Sequence, residues 1–285
     1  MAKRPKWLDR AVFYEIYPQS FLDTDGDGIG NINGITRKLG YIKELGCTAL
    51  WLNPCFDSPF GDAGYDVSDY CRVAPRYGTN EDLIQLFEEA HKLDMHILLD
   101  LVPGHTSWEH PWFLKSKKAG RNEYTDRYVW TDSIWEEPVG YGSLRGISDR
   151  DGSENAGFSS ALADRLYIPI DPAPERPTAE AEMKAPDSLR SEVKKLIAVR
   201  MAHKALQSLG EIEFLCDGAP GRPLAYIRSF EDEHIAVIVN PGANDYEQSL
   251  PGNPGEVIYS FGAKPSLREN SVKICGKSAV FVSLP

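Results

Sequence analysis

An acid and an imidazole follow one short apolar segment, and both side chains are suited to ligand binding or proton transfer. The run Ile97-Leu98-Leu99 gives way to Asp100, a Pro-Gly turn and His105. Short, continuously apolar strands are typical of parallel sheets, whose carboxyl ends carry the ligand sites of α/β proteins. We therefore expect Asp100 and His105 to belong to a ligand site, and a purely structural role for His105 is the simpler alternative.

A second polar segment runs from Gly64 to Tyr70 with the sequence Gly-Tyr-Asp-Val-Ser-Asp-Tyr. Its distance from the preceding predicted strand suits a loop over the same sheet edge. The face of Tyr65 could stack on the apolar side of a sugar ring, and the Asp66 carboxylate could accept hydrogen bonds from two hydroxyls. A packed tyrosine beside a helix-capping aspartate explains these residues equally well.

Oxygen-bearing side chains recur at every second position from Asp23 to Asn31, with glycines between them. This spacing lets one turn surround a hard cation. The expected ligands are Asp23, Asp25, Asp27, the Ile29 carbonyl and Asn31. An EF-hand would need Glu at the twelfth position, where this chain has Gly34, so the similarity is limited to the first half of that loop. We predict a structural Ca²⁺ or Mg²⁺ site, and a polar turn without metal is the alternative.

The elements that must position these residues alternate between strand and helix. Apolar runs and helical periodicity predict strands over 11–18, 48–54 and 96–103 and helices over 35–46 and 81–95. Gly46 is a good helix stop, and Thr79 with Asp82 predicts a capping box. The apolar stripe of the second helix is expected to contain Leu83, Ile84, Phe87, Ala90 and His91. This alternation predicts right-handed parallel βαβ units.

The pattern divides the chain into four parts, which are residues 1–103, 104–158, 159–210 and 211–285. Periodicity is lost in 104–158, and so long an excursion in a compact domain is usually functional or separately folded. Its aromatic residues Trp108, Trp112, Phe113, Trp130 and Trp135 would serve equally well as a sugar platform or as the core of the excursion. Residues 159–210 combine a proline-rich connector with an amphipathic helix over 189–208. Short strands between turn residues predict an antiparallel β-sandwich over 211–285.

Composition narrows the class of partner. A net charge of −11 argues against nucleic acid or an anionic membrane, because both require clustered Lys and Arg. The amino terminus is basic but has no apolar stretch behind it, so we expect a cytoplasmic protein without a membrane span. The five cysteines are scattered and form no C-x-x-C motif, so we expect buried free thiols.

Four motifs follow one another in an order typical of one family. They are Val-Phe-Tyr-Glu-Ile-Tyr-Pro over 12–18, the loop at Asp23, the segment 64–70, and Asp-Leu-Val-Pro-Gly-His-Thr-Ser over 100–107. Together they resemble the α-amylase family of glycoside hydrolases, particularly its intracellular α-glucosidase, oligo-1,6-glucosidase and trehalose-synthase-like members. The resemblance covers residues 7–158, and residues 189–285 resemble the last barrel helix and the β-sandwich of the family.

The resemblance implies a (β/α)8 TIM-type barrel, retaining cleavage of α-linked glucosides, and an α-glucoside or oligosaccharide as the partner. By the same resemblance, Tyr65 would stack on the sugar in the subsite where the bond is cut. Asp66 and His105 would hydrogen-bond the sugar hydroxyls, and Asp100 would support the catalytic centre. The loop at Asp23 would hold a structural cation, and residues 104–158 would wall the active site.

The barrel implied by this resemblance is incomplete in the sequence. A full barrel takes about 250 residues, whereas this chain offers three strands, two helices, the excursion and one last helix. Retaining glycosidases use two carboxyl groups about 5 to 5.5 Å apart, and the family's motifs for the nucleophilic Asp, the acid/base Glu and the later His-Asp pair do not occur here. We therefore expect an internal deletion near 158–165 and identify no catalytic residue.

The predicted fold class is thus α/β: an incomplete barrel of about strands 1–3 plus the last helix, an inserted excursion, and a C-terminal antiparallel β-sandwich. The leading hypothesis is a shortened α-amylase-family protein that lacks its catalytic pair. An active hydrolase with other carboxylates, a non-catalytic carbohydrate-binding or interaction protein, and a non-functional remnant are the alternatives. Self-association is expected, because an open parallel remnant leaves strand edges and apolar faces uncovered.

Overall fold

The chain forms two compact units. The computed structural model describes residues 4–118, 120–128, 130, 157–167, 169–173, 176–216 and 222–285. One unit comprises Val12–Ser191, and the other combines Met1–Ala11 with Glu192–Pro285. The predicted amphipathic helix over 189–208 therefore begins in the first unit, and its residues from Glu192 onward belong to the second unit. Trp135 and the other residues of 131–156 lie outside the described residues, as does most of the expected excursion.

Within the described residues, no helix is both long and apolar enough to cross a lipid bilayer.

The first unit is built on a parallel sheet of three strands, β1 (Phe13–Ile16), β2 (Ala49–Leu52) and β5 (His96–Leu99). Their order in the sheet is β1-β2-β5. In the sequence, the segment from β2 to β5 contains an antiparallel pair of short strands, β3 (Phe56–Asp57) and β4 (Asp69–Val73). The three predicted parallel strands are confirmed, and the short pair β3–β4 was missed. That pair brackets the loop that holds Tyr65 and Asp66.

Two helices connect the parallel strands, α1 (Ile32–Leu45) and α2 (Asn80–Lys92). The Asn31 side chain caps α1 by accepting from the N–H of Gly34, and Gly46 ends the helix in the left-handed region at φ 106°. This conformation favours glycine because it has no Cβ. The capping box of Thr79 and Asp82 forms as predicted.

The predicted apolar stripe of α2 is wrong in part. The helix buries Leu86 and Ala90, which are one turn apart, whereas Ile84 is 58% exposed and His91 is also exposed. Ile84 lies about 160° around the helix from Leu86, given 100° per residue. Ile84 is apolar but lies on the outer face of α2, so including it shifted the predicted apolar stripe away from the buried face.

The two faces of the parallel sheet have different environments. Leu50 and Leu52 are fully buried, whereas Trp51 between them is 43% exposed. Trp51 pairs with Glu15 on one side and with Leu98 on the other, and Leu98 is 38% exposed. Because side chains alternate across a strand, one face carries the core and the other presents partly exposed apolar residues. In a closed barrel, the inner face would be covered by further strands.

Three further helices follow: α3 (Pro111–Ser116), α4 (Ala179–Lys184) and α5 (Leu189–Ala202). The described residues of the second unit contain eight strands: β6 (Glu211–Phe214), β7 (Leu224–Phe230), β8 (Glu233–Asn240), β9 (Tyr246–Ser249), β10 (Val257–Phe261), β11 (Ser266–Arg268), β12 (Ser271–Ile274) and β13 (Ser278–Leu284). They form a five-stranded sheet, β10-β13-β8-β7-β6, and a three-stranded sheet, β11-β12-β9, both antiparallel.

Both sheets of the second unit contribute to one apolar core. Ala225 and Ile238 come from the larger sheet, and Val272 and Ile274 come from the smaller one. Arg228 fastens the preceding segment to the sheet by donating to the carbonyls of Ala205, Gln207 and Gly210. The sequence pattern predicts strands over 224–228, 235–240, 257–260, 272–275 and 279–283, which correspond to β7, β8, β10, β12 and β13. It misses β6, β9 and β11, because they are short and carry several polar side chains.

All five cysteines are free, as expected. Burial raises the pKa of Cys47 and of Cys55 to about 11, so both thiols stay protonated at neutral pH. The expectation of burial holds for these two alone, because Cys216 and Cys275 are half-buried and Cys71 lies exposed on β4. Its side chain falls on the outer face of that short strand.

The exposed sheet face allows a test of the expected self-association. Leu98→Lys should weaken any dimer at least about tenfold, since burying a leucine contributes roughly 1.5 to 3 kcal/mol. Sedimentation velocity over a concentration series measures the change. Leu267→Lys is the matched control, because Leu267 is also 38% exposed but lies in the other unit. A parent protein that stays monomeric throughout the series would contradict the expectation.

Candidate functional site

Polar side chains meet where β2 and β5 end. The N–H of Asn53 donates to the Ile16 carbonyl at 2.9 Å, and the N–H of Asp100 donates to the Leu52 carbonyl at 2.9 Å. The parallel ladder therefore extends one residue beyond each strand. This extension brings Asn53 and Asp100 to the same edge of the sheet.

The Tyr65 hydroxyl reaches this edge from the loop between β3 and β4. It lies 3.2 Å from the side-chain amide of Asn53, and it also hydrogen-bonds the Asp100 carboxylate. Burial, followed by the Asp100 carboxylate, raises the pKa of Tyr65 to about 12. The phenol is therefore a hydrogen-bond donor at neutral pH and not a base. The structure thus brings together Tyr65 and Asp100, two of the predicted site residues.

Backbone geometry fixes the approach of Tyr65 to the edge. The residues just before it, Ala63 and Gly64, both have positive φ values, of 58° and 95°. A Cβ on Gly64 would lie 3.2 Å from the Pro54 carbonyl oxygen, so a larger residue would be strained there. The Tyr17 hydroxyl donates to the Ala63 carbonyl at 3.2 Å. These contacts restrain the backbone that positions the Tyr65 ring.

His105 joins the site through the main chain of Tyr65. Its Nε2 lies 2.9 Å from the Tyr65 carbonyl oxygen. A carbonyl oxygen only accepts, so Nε2 carries the proton and Nδ1 is the remaining ring nitrogen. The imidazole is exposed and is therefore accessible to a ligand.

The loop of His105 and the loop of Tyr65 are tied at two further points. The Tyr70 hydroxyl lies 2.6 Å from the Val102 carbonyl oxygen and 3.0 Å from that of His105. The N–H of Ser107 donates to the Val67 carbonyl at 2.9 Å. The two polar segments identified from the sequence therefore form one structural element.

Asp66 accepts hydrogen bonds from within its own loop. The Ser58 hydroxyl donates to Oδ1 at 2.7 Å, and the N–H of Gly61 donates to Oδ2 at 2.8 Å. Neither of these two contacts is a helix cap, so the alternative of a helix-capping role for Asp66 is wrong. Each carboxylate oxygen has a second acceptor position, so the half-buried group can still accept a hydrogen bond from a ligand.

The predicted cation loop brings three carboxylates together. Single oxygens of Asp23, Asp25 and Asp27 lie within 4.8 Å of one another. Asp23 is buried, and its oxygens accept from the N–H groups of Asp25, Gly26 and Gly28 and from the Ser159 hydroxyl. Burial opposes ionisation of Asp23, but the bonds from Ser159, Gly28 and Gly26 outweigh it and hold its pKa below the ordinary value.

Asp25 responds in the opposite direction. Burial, a side-chain contact with Asp23 and the charge of Asp27 together raise the pKa of Asp25. The carboxylate charges of this loop therefore repel one another. The predicted ligand Asn31 is already engaged, because its Oδ1 accepts from the N–H of Gly34 and from the Thr24 hydroxyl, both at 2.9 Å. No contact bears on the Ile29 carbonyl, whose role as a ligand stays a prediction.

Two tryptophans of the excursion have ring neighbours. Trp130 stacks on Phe113 with 5.8 Å between ring centroids, and the Arg127 guanidinium lies 4.0 Å from the Trp112 ring centroid. Both tryptophans are nevertheless about half exposed, at 45% for Trp112 and 51% for Trp130, so these contacts do not form a buried core. Trp108 is more exposed, at 64%.

Solved structures of related architecture define the class of the fold. A mutant of the trehalulose synthase MutB in complex with the substrate sucrose has a TM-score of 0.87, covering 99% of this chain and 100% of that chain at 18% identity. A mutant of the isomaltulose synthase from Erwinia rhapontici NX5 in complex with D-glucose has a TM-score of 0.84, covering 99% of each chain at 18% identity. At such identity the similarity shows the fold alone, an α/β fold with parallel βα units.

The sequence comparison gives the same family that the motifs resemble. Residues 15–149 match the family model described as the alpha-amylase catalytic domain. The resemblance of this chain to the α-amylase family is thereby confirmed. The family implies a (β/α)8 barrel, of which the described residues contain three parallel strands and no closed barrel.

Curated relatives match just under half of the chain. The oligo-1,6-glucosidase of Bacillus sp. (strain F5) is 48% identical over 141 residues, which are 49% of this chain and 28% of the relative. The oligo-1,6-glucosidase of Bacillus cereus is 49% identical over 125 residues, 44% of this chain and 22% of the relative. The glucan 1,6-alpha-glucosidase of Streptococcus pneumoniae is 49% identical over 127 residues, 45% of this chain and 24% of the relative. The matched segment thus spans about a quarter of the length of these relatives.

Sequence reasoning missed three contributors to the site. Asn53 follows β2 as Asp100 follows β5, so the rule about strand ends could have found it. Ser58 and Gly61 carried no such signal, because their contact with Asp66 depends on the path of the loop.

The link between the two loops yields a stability prediction. Tyr70→Phe removes the donor shared by the carbonyls of Val102 and His105, and the free energy of unfolding should fall by about 1 to 2 kcal/mol. Urea denaturation measures this change, and hydrogen exchange of the Ser107 amide should accelerate with it. The control is Tyr226→Phe, whose hydroxyl has no hydrogen bond among the described residues. Equal losses in both variants would refute a special role for Tyr70.

Proposed function

We propose that this chain is an α-amylase-family protein of carbohydrate metabolism that binds the terminal glucose unit of α-1,6-linked oligosaccharides. The observation that carries the proposal is the convergence of Tyr65, Asp100 and His105 at one sheet edge. All three residues lie within the 15–149 match to the alpha-amylase catalytic domain. The choice of linkage follows the names of the relatives, which are oligo-1,6-glucosidases and a glucan 1,6-alpha-glucosidase.

The chemistry of these groups suits a neutral sugar. The Tyr65 ring offers a face for the C–H side of a glucose ring, and its hydroxyl is held by Asp100 and Asn53. The carboxylates of Asp66 and Asp100 accept from sugar hydroxyls, and such bonds to charged groups contribute roughly 1.5 to 3 kcal/mol each. With Nε2 donating to the Tyr65 carbonyl, Nδ1 is the imidazole nitrogen left to contact a sugar hydroxyl.

We infer that these residues bind the glucoside without cleaving it. Retaining cleavage needs a nucleophilic carboxylate and a second carboxyl group held protonated. The sequence motifs for these two groups do not occur in the chain. Each Asp66 oxygen already accepts a hydrogen bond, one from the Ser58 hydroxyl and one from the Gly61 N–H.

Calorimetry with isomaltose tests the binding site. Tyr65→Ala should weaken binding at least about tenfold, whereas Tyr65→Phe should lose only about twofold to threefold, because it keeps the stacking face. Asp100→Asn should also weaken binding about tenfold, as expected for loss of a charged acceptor. Failure of the parent protein to bind isomaltose would rule out the proposed function.

The same protein tests the inference about cleavage. We expect no release of p-nitrophenol from p-nitrophenyl α-glucoside. Turnover that disappears in Asp66→Asn or in Asp100→Asn would show that the chain is an active hydrolase using these carboxylates.

We further propose that the loop at Asp23 holds Ca²⁺ or Mg²⁺ as a structural cation. The donor set fits, because three carboxylates within 4.8 Å repel one another and a divalent cation would compensate their charge. Asp23, Asp25 and Asp27 would be the carboxylate ligands. Asn31 would hold the start of α1 instead, since its oxygen already accepts two hydrogen bonds.

Thermal unfolding with and without the cation tests this site. Ca²⁺ at a hundredfold excess over its Kd should stabilise the parent protein by about 2.7 kcal/mol. Asp25→Asn combined with Asp27→Asn should abolish that gain and should raise the Tm measured in EDTA, because the carboxylate repulsion is removed. Asp187→Asn, an exposed acid elsewhere in the same unit, should leave the response unchanged. A Tm that ignores Ca²⁺ in the parent would remove the metal proposal.

A further inference from the structure

Trp108 is a large exposed aromatic side chain on a firmly held turn. It is 64% exposed, whereas Ser107 is 1% exposed and His110 is 8% exposed. The turn is closed by the N–H of His110, which donates to the Ser107 carbonyl at 3.1 Å. The Ser107 hydroxyl oxygen accepts from the N–H of Glu109 at 3.1 Å. The backbone of Trp108 is therefore fixed while its ring faces solvent.

The other exposed tryptophans of this region have packing partners. The Arg127 guanidinium covers one face of Trp112, and Trp130 stacks on Phe113 and donates through Nε1 to the Ser116 hydroxyl. Among the described residues, the Trp108 ring makes one hydrogen bond, in which Nε1 donates to Glu109 Oε1 at 3.4 Å. An exposed ring on a rigid turn loses little conformational entropy when it binds a ligand.

The position of this ring connects it to the glucoside site. The Trp108 ring atom Cη2 lies 3.6 Å from the position that a Cβ on Gly61 would take. Oδ2 of Asp66 lies 3.1 Å from that same position and accepts from the Gly61 N–H. The indole edge and the Asp66 carboxylate therefore both border Gly61, and a side chain at this position would crowd the carboxylate.

We propose that Trp108 is a specificity-determining residue that stacks on the second sugar unit of an α-linked gluco-oligosaccharide. The inference rests on the proposed function, in which Tyr65 and Asp66 hold the first glucose unit. The C–H face of the second unit packs on the indole, and the Glu109 carboxylate accepts from one of its hydroxyls. The site therefore favours chains of two or more units over a single glucoside.

Calorimetry with two ligands tests the role of Trp108. The ligands are methyl α-D-glucoside, which has one ring, and isomaltotriose, which has three. Trp108→Ala should weaken isomaltotriose binding about tenfold, which corresponds to about 1.4 kcal/mol, and should change methyl α-D-glucoside binding less than about twofold. Trp108→Phe should restore most of the loss. Leu101→Ala is the control, because Leu101 is 72% exposed in the same loop but outside the proposed site.

The outcomes separate this inference from the proposal on which it rests. If the parent binds both ligands and Trp108→Ala weakens neither, or weakens both equally, the second-unit role is wrong and the glucose site stands. If the parent binds neither ligand, both proposals fail. Circular dichroism of each variant establishes that the fold is retained. Selective loss for isomaltotriose with rescue by Trp108→Phe supports the inference.

Discussion

The parallel pairing of three short strands is the constraint on which the candidate site depends. In a parallel ladder all carboxyl ends meet at one edge, and here the ladder extends through the N–H groups of Asn53 and Asp100. An amide and a carboxylate from distant parts of the sequence therefore become neighbours. Tyr65 reaches the same edge because its loop leaves β3 and returns into β4. The positive φ values at Ala63 and Gly64 set the direction of the chain just before Tyr65.

The charges at the edge are arranged for acceptance of hydrogen bonds. Asp66, Asp100 and the imidazole Nδ1 of His105 all present acceptors, and the neighbouring donors are hydroxyl, amide and backbone N–H groups. A polyhydroxylated neutral molecule supplies many donors, so it complements this set without bringing a charge of its own. The net charge of −11 agrees with this preference, because it disfavours anionic ligands.

Local signals in the sequence predicted the parts of the fold that depend on neighbouring residues. The capping box at Thr79 and the helix stop at Gly46 are of this kind, and both are present. Local signals could not show that Ile84 lies on the outer face of α2, because burial is decided by distant segments. For the same reason they could not locate the strands β6, β9 and β11, whose pairing depends on residues far away in the sequence. The candidate site follows the same division. The motifs located Tyr65, Asp66, Asp100 and His105, whereas the support from Ser58 and Gly61 depends on the loop path.

The Ser159 hydroxyl donates to Asp23 across 136 positions of sequence, and the Asp23 N–H donates to the Phe158 carbonyl at 3.0 Å. These two bonds join Asp23 to Phe158 and Ser159, so they close the chain on itself from residue 23 to residue 159. This stretch contains α1, β2, α2 and β5, and its buried side chains form most of the core of the first unit. The junction at Asp23 therefore joins the start of this unit to a segment that follows all three parallel strands in the sequence. A change at Asp23 or at Ser159 would act on both ends of the unit at once.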